Sequence, residues 1–142
     1  MDNLLDVELL LVEDNEIDVM AFERGIRRQH PGAVIVTARD GREALEILRG
    51  THASKSIGPD YLIFLDLNMP IMNGREFLQA LRSDDQLCHS IVFVLTTSDH
   101  DEDLLESYRE SVAGYILKKD VGESYCNLNE LIQAYVKLVV LP

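Results

Sequence analysis

Four residues with charged side chains lie at the ends of runs of apolar residues, as if at the end of a buried strand: Glu13 and the adjacent Asp14, Asp66 and Lys118. A parallel sheet gathers the carboxyl ends of its strands along one edge, so these side chains are expected to meet there. Mg²⁺ binds oxygen ligands and takes one or two carboxylates directly, which Asp14 and Asp66 could supply. The ammonium group of Lys118 could neutralise a phosphoryl group on Asp66. The pattern therefore indicates a site for a hard metal ion and a phosphoryl group.

The same residues also have ordinary structural explanations. Asp66 could cap the turn that follows it, and Asp14 could cap a helix starting near Ile17 in a solvated loop. Lys118 could extend its ammonium group into solvent. Two adjacent acids at a strand end repel each other unless a cation lies near them. The pair Glu13 and Asp14 therefore favours the metal site over these alternatives.

Hydroxyl groups follow another apolar run, residues 91–95, at Thr96 and Thr97. One of them could donate a hydrogen bond to a phosphoryl oxygen. Threonine is also common within strands, so these residues alone are weak evidence for a site.

Apolar runs alternate with amphipathic stretches along the chain. The runs predicted as strands are residues 9–12, 34–36, 62–65, 91–95 and 115–117. Apolar residues at helical spacing lie between and after them: Ile17, Met20, Ala21 and Ile26; Ala44, Leu45 and Leu48; Phe77, Leu78 and Leu81; Leu104, Leu105, Tyr108 and Val112; Leu128, Leu131, Ile132 and Tyr135. Five strands alternating with five helices predict an α/β fold with a doubly wound parallel sheet.

The composition narrows the function classes. The chain has 142 residues, of which 46% are hydrophobic, and this is enough for one domain with its own core. A net charge of -12 argues against binding to nucleic acid or to an anionic membrane surface. The first residues lack the basic and apolar regions of a signal peptide, and no apolar run is long enough to span a membrane. We therefore expect a cytoplasmic protein.

These features together resemble the receiver domain of two-component response regulators, over essentially the whole chain, residues 1–142. Four motifs occur in the order typical of that family: Leu-Leu-Leu-Val-Glu-Asp-Asn, Leu-Asp-Leu-Asn-Met-Pro-Ile-Met-Asn-Gly, Leu-Thr-Thr-Ser and Tyr-Ile-Leu-Lys. The resemblance implies a flavodoxin-like receiver fold with the strand order 2-1-3-4-5.

The resemblance also implies a magnesium site. Asp14, Asp66 and the backbone carbonyl of Asn68 would hold the Mg²⁺ ion, and Glu13 would reach it through a water molecule. Asp66 would be the phosphoacceptor, which attacks a phosphohistidine on a partner kinase and becomes an acyl phosphate.

By the same resemblance, two further side chains would contact the phosphoryl oxygens, namely Thr96 and Lys118. In the family, the threonine moves toward the phosphoryl group and an aromatic residue turns inward with it, which here would be Tyr115. An ordinary explanation for Tyr115 is half-buried packing with its hydroxyl in water.

The chain departs from the family pattern after the lysine. Receivers usually have a proline there, often with a cis peptide bond, but this chain has Lys119. A cis bond before a residue other than proline costs about 2.5 to 4 kcal/mol, so we predict a trans bond between Lys118 and Lys119. The sequence Glu13-Asp14-Asn15 with Asp18 resembles the single-domain regulators that pair with phytochrome-type kinases.

The last residues, 136–142, are mostly apolar, whereas chain ends are usually polar. They could pack on the core of the same chain or form a dimer contact, and the sequence slightly favours a homodimer.

The resulting prediction is a stand-alone response regulator rather than an enzyme, phosphorylated by a sensor histidine kinase or a phosphotransfer protein. The helix around residues 17–26 would face the kinase, and the fourth helix, fifth strand and fifth helix would carry the signal. One alternative is a magnesium-dependent phosphohydrolase with an aspartate nucleophile, although Asn68 stands where such enzymes usually have a second acid. Another is a scaffold that works without phosphorylation, which Lys119 leaves open.

Overall fold

A parallel five-stranded sheet organises the protein in the computed structural model, which describes residues 6–66, 74–96 and 112–142. The strand order is β2-β1-β3-β4-β5, as the family resemblance implied. The strands are β1 (Glu8–Val12), β2 (Ile35–Ala38), β3 (Tyr61–Asp66), β4 (Val92–Thr96) and β5 (Gly114–Leu117).

The predicted strands are confirmed, with small shifts at their ends. β1, β3 and β4 are almost entirely buried, because the sheet has neighbours on both sides and both faces of these strands are covered. β2 and β5 lie at the two edges and are only partly buried. Val34 was predicted to begin the second strand, but it precedes β2 and is exposed.

Four α-helices lie within the described residues: α1 (Glu16–Gln29), α2 (Gly41–Arg49), α3 (Gly74–Ser83) and a C-terminal helix (Cys126–Leu138). Two short 3-10 turns, Lys118–Asp120 and Glu123–Tyr125, connect β5 to the C-terminal helix. The predicted helix around Leu104, Leu105 and Tyr108 lies outside the described residues. Within the described part of the chain, no helix is both long enough and apolar enough to cross a membrane.

Asn15, rather than Asp14, caps the first helix. The side-chain oxygen of Asn15 accepts hydrogen bonds from the backbone N–H groups of Ile17 and Asp18, at 2.9 and 3.1 Å. This satisfies two of the N–H groups that a helix start leaves without partners. The idea that Asp14 caps the helix is therefore wrong, and its carboxylate is not used for that purpose.

The apolar residues that predicted α1 do not all face the core. Ile17 and Met20 have helical spacing, but they are 76% and 56% exposed. The buried face of α1 is formed instead by Phe22, Gly25 and Ile26. Helical spacing identifies the helix, but it does not decide which apolar residues face the sheet when there are more of them than one face can hold.

Two apolar clusters cover the two faces of the sheet. Alternate residues of β1, β3 and β4 pack with α2 and α3 on one face, and the remaining residues pack with α1 and the C-terminal helix on the other. The second cluster contains a continuous set of ring contacts, with centroids 5.2 to 5.9 Å apart, among Phe22, Phe64, Phe93, Tyr125 and Tyr135. The sheet is therefore doubly wound, as predicted.

The C-terminal residues divide between the two roles that the sequence allowed. Val136 and Leu141 pack against the cluster that contains α1 and the C-terminal helix. Leu138 and Val140, in contrast, are 79% and 94% exposed. Part of this segment therefore covers the core of the same chain, and part of it presents apolar side chains to solvent.

Gly25 allows α1 and the segment before the C-terminal helix to approach closely. A Cβ atom at this position would lie 2.7 Å from the Cβ, Cγ and Cδ1 atoms of Tyr125. Tyr125 itself has a φ of 62°, in the left-handed region that L residues rarely adopt. The backbone carbonyl of Gly25 also accepts a buried hydrogen bond of 2.9 Å from the side-chain amide of Asn129.

We expect Gly25→Ala to destabilise the protein. The added methyl group overpacks the contact with Tyr125, which costs about 1 to 3 kcal/mol, while the better helix propensity of alanine returns about 1 kcal/mol. The expected net loss in the free energy of unfolding is the difference between the two, up to about 2 kcal/mol, measured by urea unfolding. Gly32→Ala is the matched control, because a Cβ there meets no atom within 4 Å. Equal effects of the two substitutions would contradict the packing argument.

Candidate functional site

The three acidic residues predicted from the sequence meet at the carboxyl edge of the sheet. β1 and β3 pair in parallel, with Val12 opposite Leu65, so Glu13 lies level with Asp66. Side-chain oxygens of Glu13, Asp14 and Asp66 all lie within 4.8 Å of one another. Glu13 and Asp66 are 3% and 7% exposed, whereas Asp14 is exposed. In this cluster the carboxylate of Asp14 is therefore exposed to solvent, whereas Glu13 and Asp66 are buried.

The donor atoms of this cluster suit a hard divalent cation. Three carboxylates at such distances repel one another, and the repulsion is strongest where burial removes water from between them. Carboxylate oxygens are the ligands that Mg²⁺ and Mn²⁺ prefer, and the exposed Asp14 leaves room for the water molecules that Mg²⁺ retains. Glu13, Asp14 and Asp66 are therefore the described residues that could hold such an ion. Asn68 lies outside the described residues.

Lys118 lies beside this cluster at the end of β5. Its Nζ atom donates hydrogen bonds to Oε1 of Glu13 at 2.8 Å and to Oδ2 of Asp18 at 3.1 Å. The ammonium group thus bridges a carboxylate that follows β1 and a carboxylate in the first turn of α1. The alternative in which Lys118 extends freely into solvent is wrong.

The carboxylates keep this ammonium group charged. Burial by itself acts to lower the pKa of Lys118, because a charged group is less stable away from water. The hydrogen bond to Glu13 and the negative charge of Asp66 outweigh burial, and the hydrogen bond to Asp18 adds to them. The pKa of Lys118 is therefore raised above its ordinary value, and the group remains a cation throughout the physiological pH range.

The peptide bond between Lys118 and Lys119 is trans, since no cis peptide bond occurs among the described residues. This confirms the prediction made from the absence of proline after Lys118. The chain turns directly into the 3-10 turn Lys118–Asp120. Lys118 is therefore positioned mainly by its side-chain contacts and by the end of β5.

Thr96 lies on β4, the strand next to that of Asp66, and Tyr115 lies on β5, one strand further along the sheet. Thr96 is the last residue of β4, where Leu95 pairs with Asp66, and it is almost completely buried. Tyr115 lies on β5 opposite Val94 and is partly buried against the cluster that contains α2 and α3. Thr97 lies outside the described residues. The structure thus brings Thr96 to the same sheet edge as Asp66 and Lys118.

The sequence assigned no role at this site to Asp18 or Tyr125. Asp18 was noted only for the resemblance to phytochrome-associated regulators, and its place in the first turn of α1, directly after the acidic pair, was a usable signal. Tyr125 packs on Phe22 of α1, and its pKa is raised first by burial and then by the nearby charge of Asp18. No sequence pattern indicated that Tyr125 would approach the acidic residues, because its position depends on the fold of the connection after β5.

The fold and the site define a doubly wound parallel α/β protein with acidic residues and a lysine at the carboxyl edge of its sheet. Residues 9–133 match the family described as the response regulator receiver domain. The chain therefore belongs to the response regulator receiver domain family, in which phosphorylation-dependent signalling is the common role. Members of this family generally accept a phosphoryl group rather than act as enzymes.

Several relatives span nearly the same length as this chain. The probable methanogenesis regulatory protein FilR2 of Methanothrix harundinacea is 36% identical over 127 residues, which are 89% of this chain and 81% of FilR2. Response regulator Rcp1 of Synechocystis is 28% identical over 135 residues, which are 94% of this chain and 92% of Rcp1.

Solved structures extend the similarity to phytochrome response regulators. The phosphorylated cyanobacterial phytochrome response regulator RcpA has a TM-score of 0.73 at 30% identity, covering 97% of this chain and 99% of that one. A Mn²⁺-bound form of Rcp1 has a TM-score of 0.73 at 28% identity, covering 96% of this chain and 99% of that one. The predicted resemblance to the phytochrome-associated regulators is therefore confirmed.

A divalent cation should stabilise this protein through the acidic cluster. At a concentration one hundred times its dissociation constant, Mg²⁺ is expected to add about 2.7 kcal/mol to the free energy of unfolding. Asp14→Asn should reduce this gain, measured as the difference between thermal midpoints in Mg²⁺ and in chelator. Without metal, the same variant should be at least as stable as the wild type, because one of three mutually repelling charges is gone.

Asp85→Asn is the control for this experiment, because it removes an exposed carboxylate in the connection between α3 and β4. This variant should retain the full stabilisation by Mg²⁺. If both variants lost the same share of it, the effect would come from net charge and not from the cluster.

Proposed function

We propose that this protein accepts a phosphoryl group on Asp66 from the phosphohistidine of a sensor histidine kinase or a phosphotransfer protein. A carboxylate oxygen of Asp66 attacks the phosphorus atom, the bond between phosphorus and the imidazole nitrogen breaks, and the histidine regains a proton from solvent. The product is an acyl phosphate. The observation that carries this proposal is the joint position of three carboxylates within 4.8 Å and an ammonium group 2.8 Å from one of them.

The acidic residues have distinct parts in this proposal. Asp14 and Asp66 would bind Mg²⁺ together with the backbone carbonyl of Asn68, and Glu13 would act through a water molecule. A bound Mg²⁺ ion would neutralise negative charge on the transferring group. The burial of Asp66 supports its role as acceptor, since it limits the access of water to the acyl phosphate. The part of Asn68 is taken from the family resemblance alone.

Lys118 and Thr96 would contact the phosphoryl oxygens. Lys118 has three donor hydrogens, and the contacts with Glu13 and Asp18 use two of them. The phosphoryl group would draw Thr96 toward it, and Tyr115 would turn inward on the neighbouring strand. Their positions on β4 and β5, which pair with each other, support a shared movement of these two side chains. This movement would change the surface formed by β5 and the C-terminal helix, through which the signal would pass.

A phytochrome-type kinase is the partner that the relatives favour, since RcpA is described as a phytochrome response regulator. The exposed side chains of Ile17 and Met20 on α1, close to the acidic cluster in the chain, support α1 as the surface that contacts the kinase. The cytoplasm is the location that fits such a partner.

Phosphorylation can be tested with a small phosphodonor. Wild-type protein incubated with acetyl phosphate and Mg²⁺ should gain one phosphoryl group, detected by intact mass spectrometry, and Asp66→Asn should gain none. Lys118→Met should reduce the rate of adduct formation by a factor on the order of 100, because a buried negative charge would lose its cationic partner. Asp85→Asn should behave like the wild type.

Two other results of this experiment would contradict the proposed function. Continuous release of phosphate from acetyl phosphate without a lasting adduct would indicate a phosphohydrolase. The absence of any adduct, with Mg²⁺ binding intact, would indicate a scaffold that works without phosphorylation.

We further propose that the C-terminal helix forms a homodimer contact. Leu131 and Leu138 are seven residues apart and therefore lie on the same face of the helix, and both are exposed together with Val139 and Val140. An apolar surface of this kind at the end of a charged protein is typical of an association site. Because Leu141 packs on its own core, the contact would use the rest of this segment.

The double substitution Leu138→Lys and Val140→Lys should convert a dimer to a monomer, measured by light scattering coupled to size-exclusion chromatography. It leaves Leu141 and the core in place. Ile17→Lys is the control, since it places the same charge on an exposed apolar position of α1. A monomeric wild-type protein, or dissociation by Ile17→Lys alone, would contradict the proposed contact.

A further inference from the structure

Lys118 is held by two carboxylates that differ in their relation to the acidic cluster. Glu13 belongs to the cluster, and its carboxylate is almost completely buried. Asp18 lies in the first turn of α1 and is 40% exposed. Of the two hydrogen bonds that the Nζ atom donates, one is therefore accepted by a group of the acidic cluster and the other by a group beside it.

A divalent cation and Lys118 would compete for Glu13. Both are positively charged. A metal ion that polarises the carboxylate of Glu13 and turns it toward itself would weaken the attraction between Glu13 and the ammonium group. The ammonium group would also be repelled by the ion at a distance of a few ångströms. A lysine that depended on Glu13 alone would therefore tend to leave the site when the metal ion enters.

We propose that Asp18 is a positioning residue that keeps Lys118 at the edge of the site while a metal ion occupies the acidic cluster. The inference rests on the proposed function, in which Lys118 must be present when the phosphoryl group arrives. It assigns to Asp18 a role that the acidic cluster cannot supply, because every carboxylate of the cluster would bind the ion directly or through water.

Asp18 is itself well fixed for this purpose. Its backbone N–H group donates to the side chain of Asn15, which anchors it at the helix start. Tyr125 lies close enough for the charge of Asp18 to affect its ionisation, and Tyr125 is packed against Phe22 of the same helix. The carboxylate of Asp18 is thus presented to Lys118 from a capped helix end.

A simpler role for Asp18 would be to stabilise α1, because acidic residues in the first turn of a helix interact favourably with its dipole. Glu16 has the same advantage in the same turn. Glu16→Gln is therefore a matched control for Asp18→Asn, since each change removes one negative charge from the first turn and keeps the size of the side chain.

The test measures Mg²⁺ affinity by isothermal titration calorimetry. Asp18→Asn should weaken Mg²⁺ binding about fivefold relative to Glu16→Gln, because Lys118 then competes more strongly for Glu13. An interaction energy of this size is ordinary between charged residues in contact. Asp18→Glu should restore most of the affinity, since a longer carboxylate can still reach Nζ. In a Lys118→Met background, Asp18→Asn and Glu16→Gln should have equal effects.

Adduct formation from acetyl phosphate gives a second measurement. At saturating Mg²⁺, Asp18→Asn should form the adduct more slowly than Glu16→Gln, by a factor on the order of 10.

Equal Mg²⁺ affinities of Asp18→Asn and Glu16→Gln would overturn the inference. An effect of Asp18→Asn on Mg²⁺ affinity that is undiminished in the Lys118→Met background would also overturn it. If the wild type formed no adduct, the proposed function would fail, and the affinity measurements would still decide the role of Asp18 toward Lys118.

Discussion

The repulsion among three carboxylates held within 4.8 Å is the interaction on which the site depends. The register of β1 against β3 brings Glu13 level with Asp66, and burial of both residues strengthens the repulsion that the register imposes. The apolar cores on both faces of the sheet supply the free energy that keeps these groups together. A cation between these carboxylates would relieve this repulsion, and receiver domains bind Mg²⁺ or Mn²⁺ at an acidic pocket of this kind.

Lys118 is the cation that the chain itself supplies. Its contacts with Glu13 and Asp18 connect the end of β5 to the end of β1 and to the start of α1, across about one hundred residues of sequence. A change of charge at Asp66 will therefore act on an ammonium group that also contacts α1. This connection links the chemical site to the helix whose exposed apolar residues are available to a partner, and Asp18 is the residue that joins the two.

Much of the site could be predicted because most of its residues lie at the end of an apolar run. Glu13, Asp14, Asp66, Thr96 and Lys118 were all identified at strand ends, and the structure brings those residues to one edge of the sheet. Side-chain direction was not predictable in the same way. Ile17 and Met20 follow helical spacing but are exposed, and the cap of α1 is Asn15 rather than Asp14. Spacing gives the period of a helix but not its rotation about its axis.

The sequence by itself determined the alternation of strands and helices, the chemical types at the strand ends and, through the missing proline, the trans bond after Lys118. These properties are local, since they depend on the period of apolar residues and on the chemistry of single peptide bonds. Only the tertiary structure decided that Asp18 shares Lys118 with Glu13, and that Leu141 turns back to the core while Val140 does not. Such contacts join residues that are distant in sequence, and their formation depends on how the elements pack against each other.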